Sequence, residues 1–213
     1  MNRKPWTVRR VVSRSLAWAA LAFVIAWTVA PFLVTISASL KTRGAVFADP
    51  SIIPAAPTLD AYREVLARPG FRNAFWNSVI LGFGTGFLTL ALAVPAAYAF
   101  ARFRFRFRHV LLLFVILPRL VPGVALLIPL YRLAVALGAL NSRLTLIVVY
   151  TGTLLPLSIW LLMGFFQQIP REVEEAATVD GASLWQRQWR IVLPLALPAL
   201  ITIAVLAFRE AWN

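Results

Sequence analysis

The chain of 213 residues has no cysteine and one histidine, His109. The first absence removes structural disulfides and thiolate metal sites, and says little about compartment. The second removes any histidine-based metal cluster or proton relay. Acid is scarce as well, with 8 Asp and Glu against 21 Lys and Arg. None of the acids falls inside a long apolar run, which argues against a carrier driven by an intramembrane carboxylate relay. The pattern G-x4-G-K-[S/T] is also missing, so no phosphate-cradling nucleotide loop is present. Gly82, Gly84 and Gly86 do not replace one, because no strand precedes them. The G-x-x-x-G pair Gly82 and Gly86 reads instead as a place of close helix approach.

What the chain has in quantity is apolar sequence: 61% of residues are hydrophobic and 14% charged. Runs at 15–40, 73–101, 144–169 and 191–208 carry no charge, and 110–131 carries only Arg119. A bilayer crossing takes about 20 such residues. The pattern therefore predicts an all-α, polytopic membrane protein with about five spans, at 15–40, 76–101, 110–131, 144–166 and 191–213. The first run is longer than the apolar region of a cleaved signal peptide, which favours an uncleaved anchor. Pro31, Pro95, Pro118, Pro122, Pro129, Pro156 and Pro198 lie within these runs. Each removes a backbone donor that lipid cannot replace, so kinked helices lining a path are expected.

The net charge of +13 is distributed as span flanks rather than as a nucleic-acid surface. Arg3, Lys4, Arg9, Arg10 and Arg14 precede the first span, in a tail at 1–14. Arg102, Arg104, Arg106 and Arg108 fill the loop at 102–109, where the alternating Arg and Phe suit a turn at the headgroup zone. Arg171, Arg187 and Arg190 lie in the loop at 167–190. These three regions share one side, predicted as cytoplasmic, and the loops at 41–75 and 132–143 fall on the other. Arg119, about 15 Å into its run by the helical rise, stands near mid-bilayer between two prolines. It either lines a path or pairs structurally with carbonyls or a partner.

The loop between the fourth and fifth runs is the most informative segment. Pro170 and the acids Glu172, Glu174 and Glu175 suit the positive first turn of a helix. Ala176 and Ala177 keep one face slim, Asp180-Gly181 stops the helix, and Ser183 can cap a second one bearing Trp185, Arg187, Trp189 and Arg190. Glu175-Ala176-Ala177, Gly181 and Ile191-x-Leu193-Pro194 form E-A-A-x3-G-x9-I-x-L-P without a gap. That spacing resembles the signature loop of the permease subunits of bacterial binding-protein-dependent ABC importers.

Softer matches extend the resemblance from about residue 41 to the end. They include Pro57-Thr58-Leu59-Asp60-Ala61-Tyr62, Ala97-Tyr98-Ala99-Phe100-Ala101-Arg102, Ile128-Pro129-Leu130-Tyr131 and Gly164-Phe165-Phe166. They are similar to the carbohydrate, maltose-type branch. The resemblance implies a MetI-like permease fold in the bacterial inner membrane, with the N-terminus cytoplasmic. It implies that Glu174, Glu175, Ala176, Ala177, Asp180, Gly181, Ile191, Leu193 and Pro194 couple to an ATPase, and it leaves Arg119 as a candidate for the substrate path. The implied partners are a second permease subunit, a dimer of ATP-binding subunits, a periplasmic or lipid-anchored solute-binding protein, and membrane lipid. No nucleic acid, metal or catalytic residue is implied for this chain; ATP and magnesium belong on the partner ATPase. Similar proteins continue into a sixth span, so the expectation here is a C-terminally truncated permease. An ATP-independent transporter or channel, a non-functional truncated copy, or a membrane scaffold are the alternatives.

Overall fold

The computed structural model describes residues 8–212, with side chains from Val12 onward. Arg3 and Lys4 of the predicted basic tail lie outside the described residues, as does Asn213 of the predicted fifth span; the side chains of Arg9 and Arg10 lie outside as well. The chain divides into two compact units, one ending at Arg72 and the other starting at Asn73.

The first unit begins with α1, Val8–Ser39, whose apolar stretch Val12–Ser39 is long enough to span. Large side chains such as Trp18, Phe23, Trp27 and Phe32 are exposed on it, as on a helix solvated by lipid. The hydroxyls of Thr28 and Thr35 donate to the carbonyls of Val24 and Pro31, both at 2.8 Å, so neither is left unpaired in apolar surroundings. The predicted loop at 41–75 is ordered. It carries α2, Arg43–Ala48, and α3, Asp60–Ala67.

That segment is tied to the end of α1 by Lys41, whose side chain is buried. Its ammonium donates to the carbonyls of Asp49 at 2.5 Å and Ser51 at 2.6 Å, with the Asp49 carboxylate 3.7 Å away. The Thr58 amide donates to the Leu40 carbonyl at 2.8 Å, and Ser39 and Tyr62 share a hydroxyl hydrogen bond of 2.7 Å. Glu64 bridges Arg43 and Arg68.

In the second unit the spans pack. Its helices are α4, Phe71–Arg102 (whose first two residues precede the unit), α5, Arg108–Ile116, α6, Gly123–Ala136, α7, Arg143–Gln168, and α8, Arg171–Val179. The short α9, Leu184–Arg187, and α10, Leu193–Leu195, precede α11, Leu197–Trp212. The core joins Ala93, Ala97, Tyr98 and Ala101 of α4 to Ile159, Leu162 and Phe166 of α7, with Val192 and Ile203 closing it. Alanines at every fourth position of α4 let the partner helix approach closely. The glycines do the same higher up. A Cβ on Gly82 would lie 2.5 Å from the Phe208 ring of α11, and one on Gly84 would lie 2.6 Å from Ile147 of α7.

Among the described residues, α1, α4 and α7 are each long and apolar enough to span, and the number rises to five if two bent pairs count as spans. The predicted spans at 76–101 and 144–166 fall within α4 and α7, and the one at 15–40 overruns the end of α1 by one residue, Leu40. The predicted span at 110–131 is not one straight helix: Arg108–Leu120 and Gly123–Ala136 meet at 96°. Pro122 holds Val121 extended and then starts α6, while Pro118 tightens the preceding turn into a 3-10 helix, Leu117–Leu120. The predicted span at 191–213 is likewise bent, by 76° at Ala196, and its helical entry starts at Leu184. Pro194 and Pro198 deny donors to carbonyls one turn back, and a π-helical turn, Gln188–Val192, absorbs the first mismatch.

The ion pairs of the first unit have a pH consequence. The Ser51 hydroxyl and amide, donating to the Asp49 carboxylate, hold it below its ordinary value. Arg68, then Arg43, do the same for Glu64. Both folded values are depressed, so their contribution is complete above the ordinary carboxylate range of about pH 4. It is lost as pH falls through the depressed values. Hydrogen exchange of the Thr58 amide should show protection at neutral pH that declines below about pH 4. Equal protection at neutral pH and at about pH 3 would contradict this electrostatic account.

Candidate functional site

The polar segment after α7 is built by local rules. Pro170 holds Ile169 extended, which ends α7 at Gln168, and Pro170 then stands at the N-cap of α8. Glu172 and Glu174 occupy the positive first turn. At the other end Gly181 adopts φ +82°, the left-handed geometry that a Cβ disfavours. The Gly181 amide donates to the Thr178 carbonyl at 3.0 Å and the Ala182 amide to the Ala177 carbonyl at 2.9 Å, which is a Schellman close. Ser183 and Gln186 then form a reciprocal capping box: the Gln186 amide donates to Ser183 Oγ at 3.3 Å, and the Ser183 amide to Gln186 Oε1 at 2.8 Å.

This geometry gives α8 two faces. Glu174 and Ala177 are buried, whereas Glu175, Ala176 and Val179 are exposed, Val179 by 88%. The acid of the signature spacing, Glu175, therefore points away from the protein, and its neighbour Glu174 points into it. Asp180 and Gly181 are exposed in the turn. Ile191 and Leu193 are half-buried beside the fully buried Val192, and Pro194 is exposed at the bend. Asp180, Gly181, Ala182, Gln186, Arg190 and Ile191 line an open polar depression of about 300 Å³ between the turn and the following helix.

The buried acid is met by α4. The Tyr98 hydroxyl donates to Glu174 Oε2 at 2.6 Å, and Arg102 Nη2 lies 2.6 Å from Oε1 as an ion pair. The arginine and glutamate side chains are 9% and 8% exposed. The same Arg102 nitrogen donates to the Ile169 carbonyl at 2.9 Å, and Arg171 reaches back to the Arg102 carbonyl at 3.5 Å. Thr178 donates to the Glu174 carbonyl at 2.8 Å and accepts from Arg187 at 2.8 Å. Removing one member of such a buried pair leaves the other uncompensated, at a cost of about 3–5 kcal/mol. The Tyr98 ring is fixed edge-on between Phe103 and Phe166, at centroid distances of 6.2 and 6.0 Å. Phe105 folds back onto Phe100 at 5.7 Å, so the Arg-Phe run is a turn at the end of α4.

The sequence alone does not mark Tyr98, Arg102, Thr178 or Arg187 as site residues. Tyr98 and Arg102 stand one turn apart on one helix face, which was the available signal. Arg119 lies apart from this cluster, at the break between α5 and α6. It is exposed, and it donates to the Thr153 carbonyl of α7 at 3.3 Å.

Residues 89–213 match the family of binding-protein-dependent transport system inner membrane components. The chain is 36% identical over 201 residues to the trehalose transport system permease protein SugB of Mycobacterium tuberculosis, covering 94% of this chain and 73% of that protein. It is 35% identical over 204 residues to the galactooligosaccharides transport system permease protein GanQ of Bacillus subtilis, covering 94% and 72%. A crystal structure of a bacterial ABC transporter involved in the import of the acidic polysaccharide alginate contains a similar chain. Its TM-score is 0.83 at 25% identity, covering 99% of this chain and 74% of that one.

The capping box yields a direct test. Ser183→Ala removes the side-chain acceptor at the N-cap, worth about 1 kcal/mol. In a chain of this length that lowers the melting temperature by roughly 2–4 °C, measured in detergent or nanodiscs. Ser183→Thr should retain most of it; an unchanged melting temperature in Ser183→Ala would remove the cap from the account.

Proposed function

Because this chain belongs to the binding-protein-dependent transport system inner membrane components, we propose that it carries a sugar or oligosaccharide and that the outer face of α8 receives the ATPase. It is the multi-pass membrane permease component of an ABC importer, with an all-helical, MetI-like fold. It is not itself an enzyme; hydrolysis is done by a separate subunit. Partners therefore include a second permease, ATP-binding subunits and a solute-binding protein. Carbohydrate is favoured by the relatives, named for trehalose, galactooligosaccharides and melibiose/raffinose/stachyose.

The observation that carries the coupling assignment is the two-faced α8. An exposed face of Glu175, Ala176 and Val179 stands next to the polar depression at Asp180 and Gly181, on a helix whose other face is bound to the protein. Slim and partly apolar, that outer face suits a groove on a dimer of ATP-binding subunits. Ile191, Leu193 and Pro194 then pass movement into α11 through the bend. ATP and magnesium act on the partner. The basic flanks support a cytoplasmic position for α8 and the N-terminus, with a periplasmic or lipid-anchored binding protein delivering solute to the opposite face. Arg119, at a proline-broken helix, is assigned to the solute path.

The test is uptake of radiolabelled trehalose, melibiose and raffinose by cells making this chain with its partner subunits. ATP-dependent accumulation of one of them is expected. Replacing Gly181 with Val should abolish accumulation while leaving the chain in the membrane, and Arg119→Leu made at normal levels should reduce it. Accumulation that persists without any ATP-binding subunit would establish a secondary transporter instead.

A further inference from the structure

We propose that Glu174, Arg102 and Tyr98 form a fixed joint, so that α8 and the adjoining end of α4 move as one body when the ATP-binding subunits close. Tyr98 and Arg102 are then positioning residues for coupling, distinct from the residues that meet the ATPase. The inference rests on α8 being the ATPase-coupling helix, as proposed above.

Three observations carry it. First, the connection has several points. Glu174 accepts from Tyr98 on Oε2 and pairs ionically with Arg102 through Oε1, each at 2.6 Å, and Arg102 also holds the Ile169 carbonyl one residue before Pro170. Sliding α8 by a fraction of a helical turn would strand a buried carboxylate and a buried guanidinium together. Second, the joint is on the face of α8 opposite to Ala176 and Val179, so a partner can load the helix without touching the joint. Third, the other route out of the segment is compliant by comparison. The chain leaves α8 through the Gly181 turn, then the π-helical turn at Gln188–Val192 and the 76° bend at Ala196. A push on α8 therefore reaches α4 through a buried ion pair, and reaches α11 through the Gly181 turn, which the Arg187–Thr178 hydrogen bond spans, and then through the π-helical turn and the 76° bend.

The chain has no cysteine, so spin labels can be placed singly on introduced ones. Val173, on the flank of α8, and Phe87, exposed on α4, are suitable sites. The distance between them is measured by pulsed electron resonance in the assembled importer, first without nucleotide and then with Mg-ATP and vanadate. In the otherwise unaltered chain the two distance distributions should coincide. Tyr98→Phe removes one oxygen and keeps the packed ring; Arg102→Gln removes the charge. In both, the distribution should broaden or change with nucleotide. A nucleotide-dependent distance in the unaltered chain overturns the joint, as does a fixed distance in both single variants. A mere folding role for the pair would not make the distance depend on nucleotide. Retention of the ATP-binding subunit on the unaltered chain is checked first: its absence defeats the coupling assignment itself, whereas its presence with the outcomes above defeats the joint alone.

Discussion

A carboxylate taken out of water has to be answered by a charge, and the arrangement of the second unit follows from how Glu174 is answered. Its counter-charge comes from Arg102, 72 positions earlier in the chain, at the last residue of α4. For that nitrogen to reach 2.6 Å, α4 and α7 must pack at the distance set by Ala93, Ala97 and Ala101 against Leu162 and Phe166. Pro170 must also turn the chain so that the first turn of α8 faces back. That ion pair thus goes with which residues of the loop face inward and which are exposed.

Around that point the membrane imposes a second constraint, the satisfaction of backbone groups where water is absent. Prolines at 118, 122, 194 and 198 break helices, and polar side chains bond to carbonyls close to the breaks. Arg119 donates to a carbonyl of α7 at one break, and Thr202 donates to the Pro198 carbonyl beyond the other. Ser158 bonds back to Leu154 in the same way, two residues after Pro156.

Much of the fold was legible in residue order alone. Charge-free runs located α1, α4 and α7 because lipid selects composition, and composition is additive along a helix. The break inside 110–131 was not legible as a 96° turn, although Pro118 and Pro122 announced a disturbance. Hydropathy sums carry no direction. Within the loop, Pro170, Gly181 and Ser183 behave as their local chemistry requires, since caps and stops depend on neighbours within four residues. The inward turn of Glu174 rather than Glu175 is different: it depends on the register of α8 against α4, which only tertiary packing sets. For the same reason Arg102 reads as part of an interfacial turn, and Tyr98 as part of a family-like motif, rather than as partners of an acid far along the chain.

Arg102 and Glu174 stabilise the protein as a pair and not as two separate contributors. Thermal and denaturant unfolding of Arg102→Met, Glu174→Leu and the double variant in one lipid environment measures that directly. The expected result is two strongly destabilised single variants and a double variant destabilised far less than their sum, with a coupling energy of about 2 kcal/mol or more. Strictly additive losses would contradict it, and would mean that the buried acid and the arginine each find their stabilisation elsewhere.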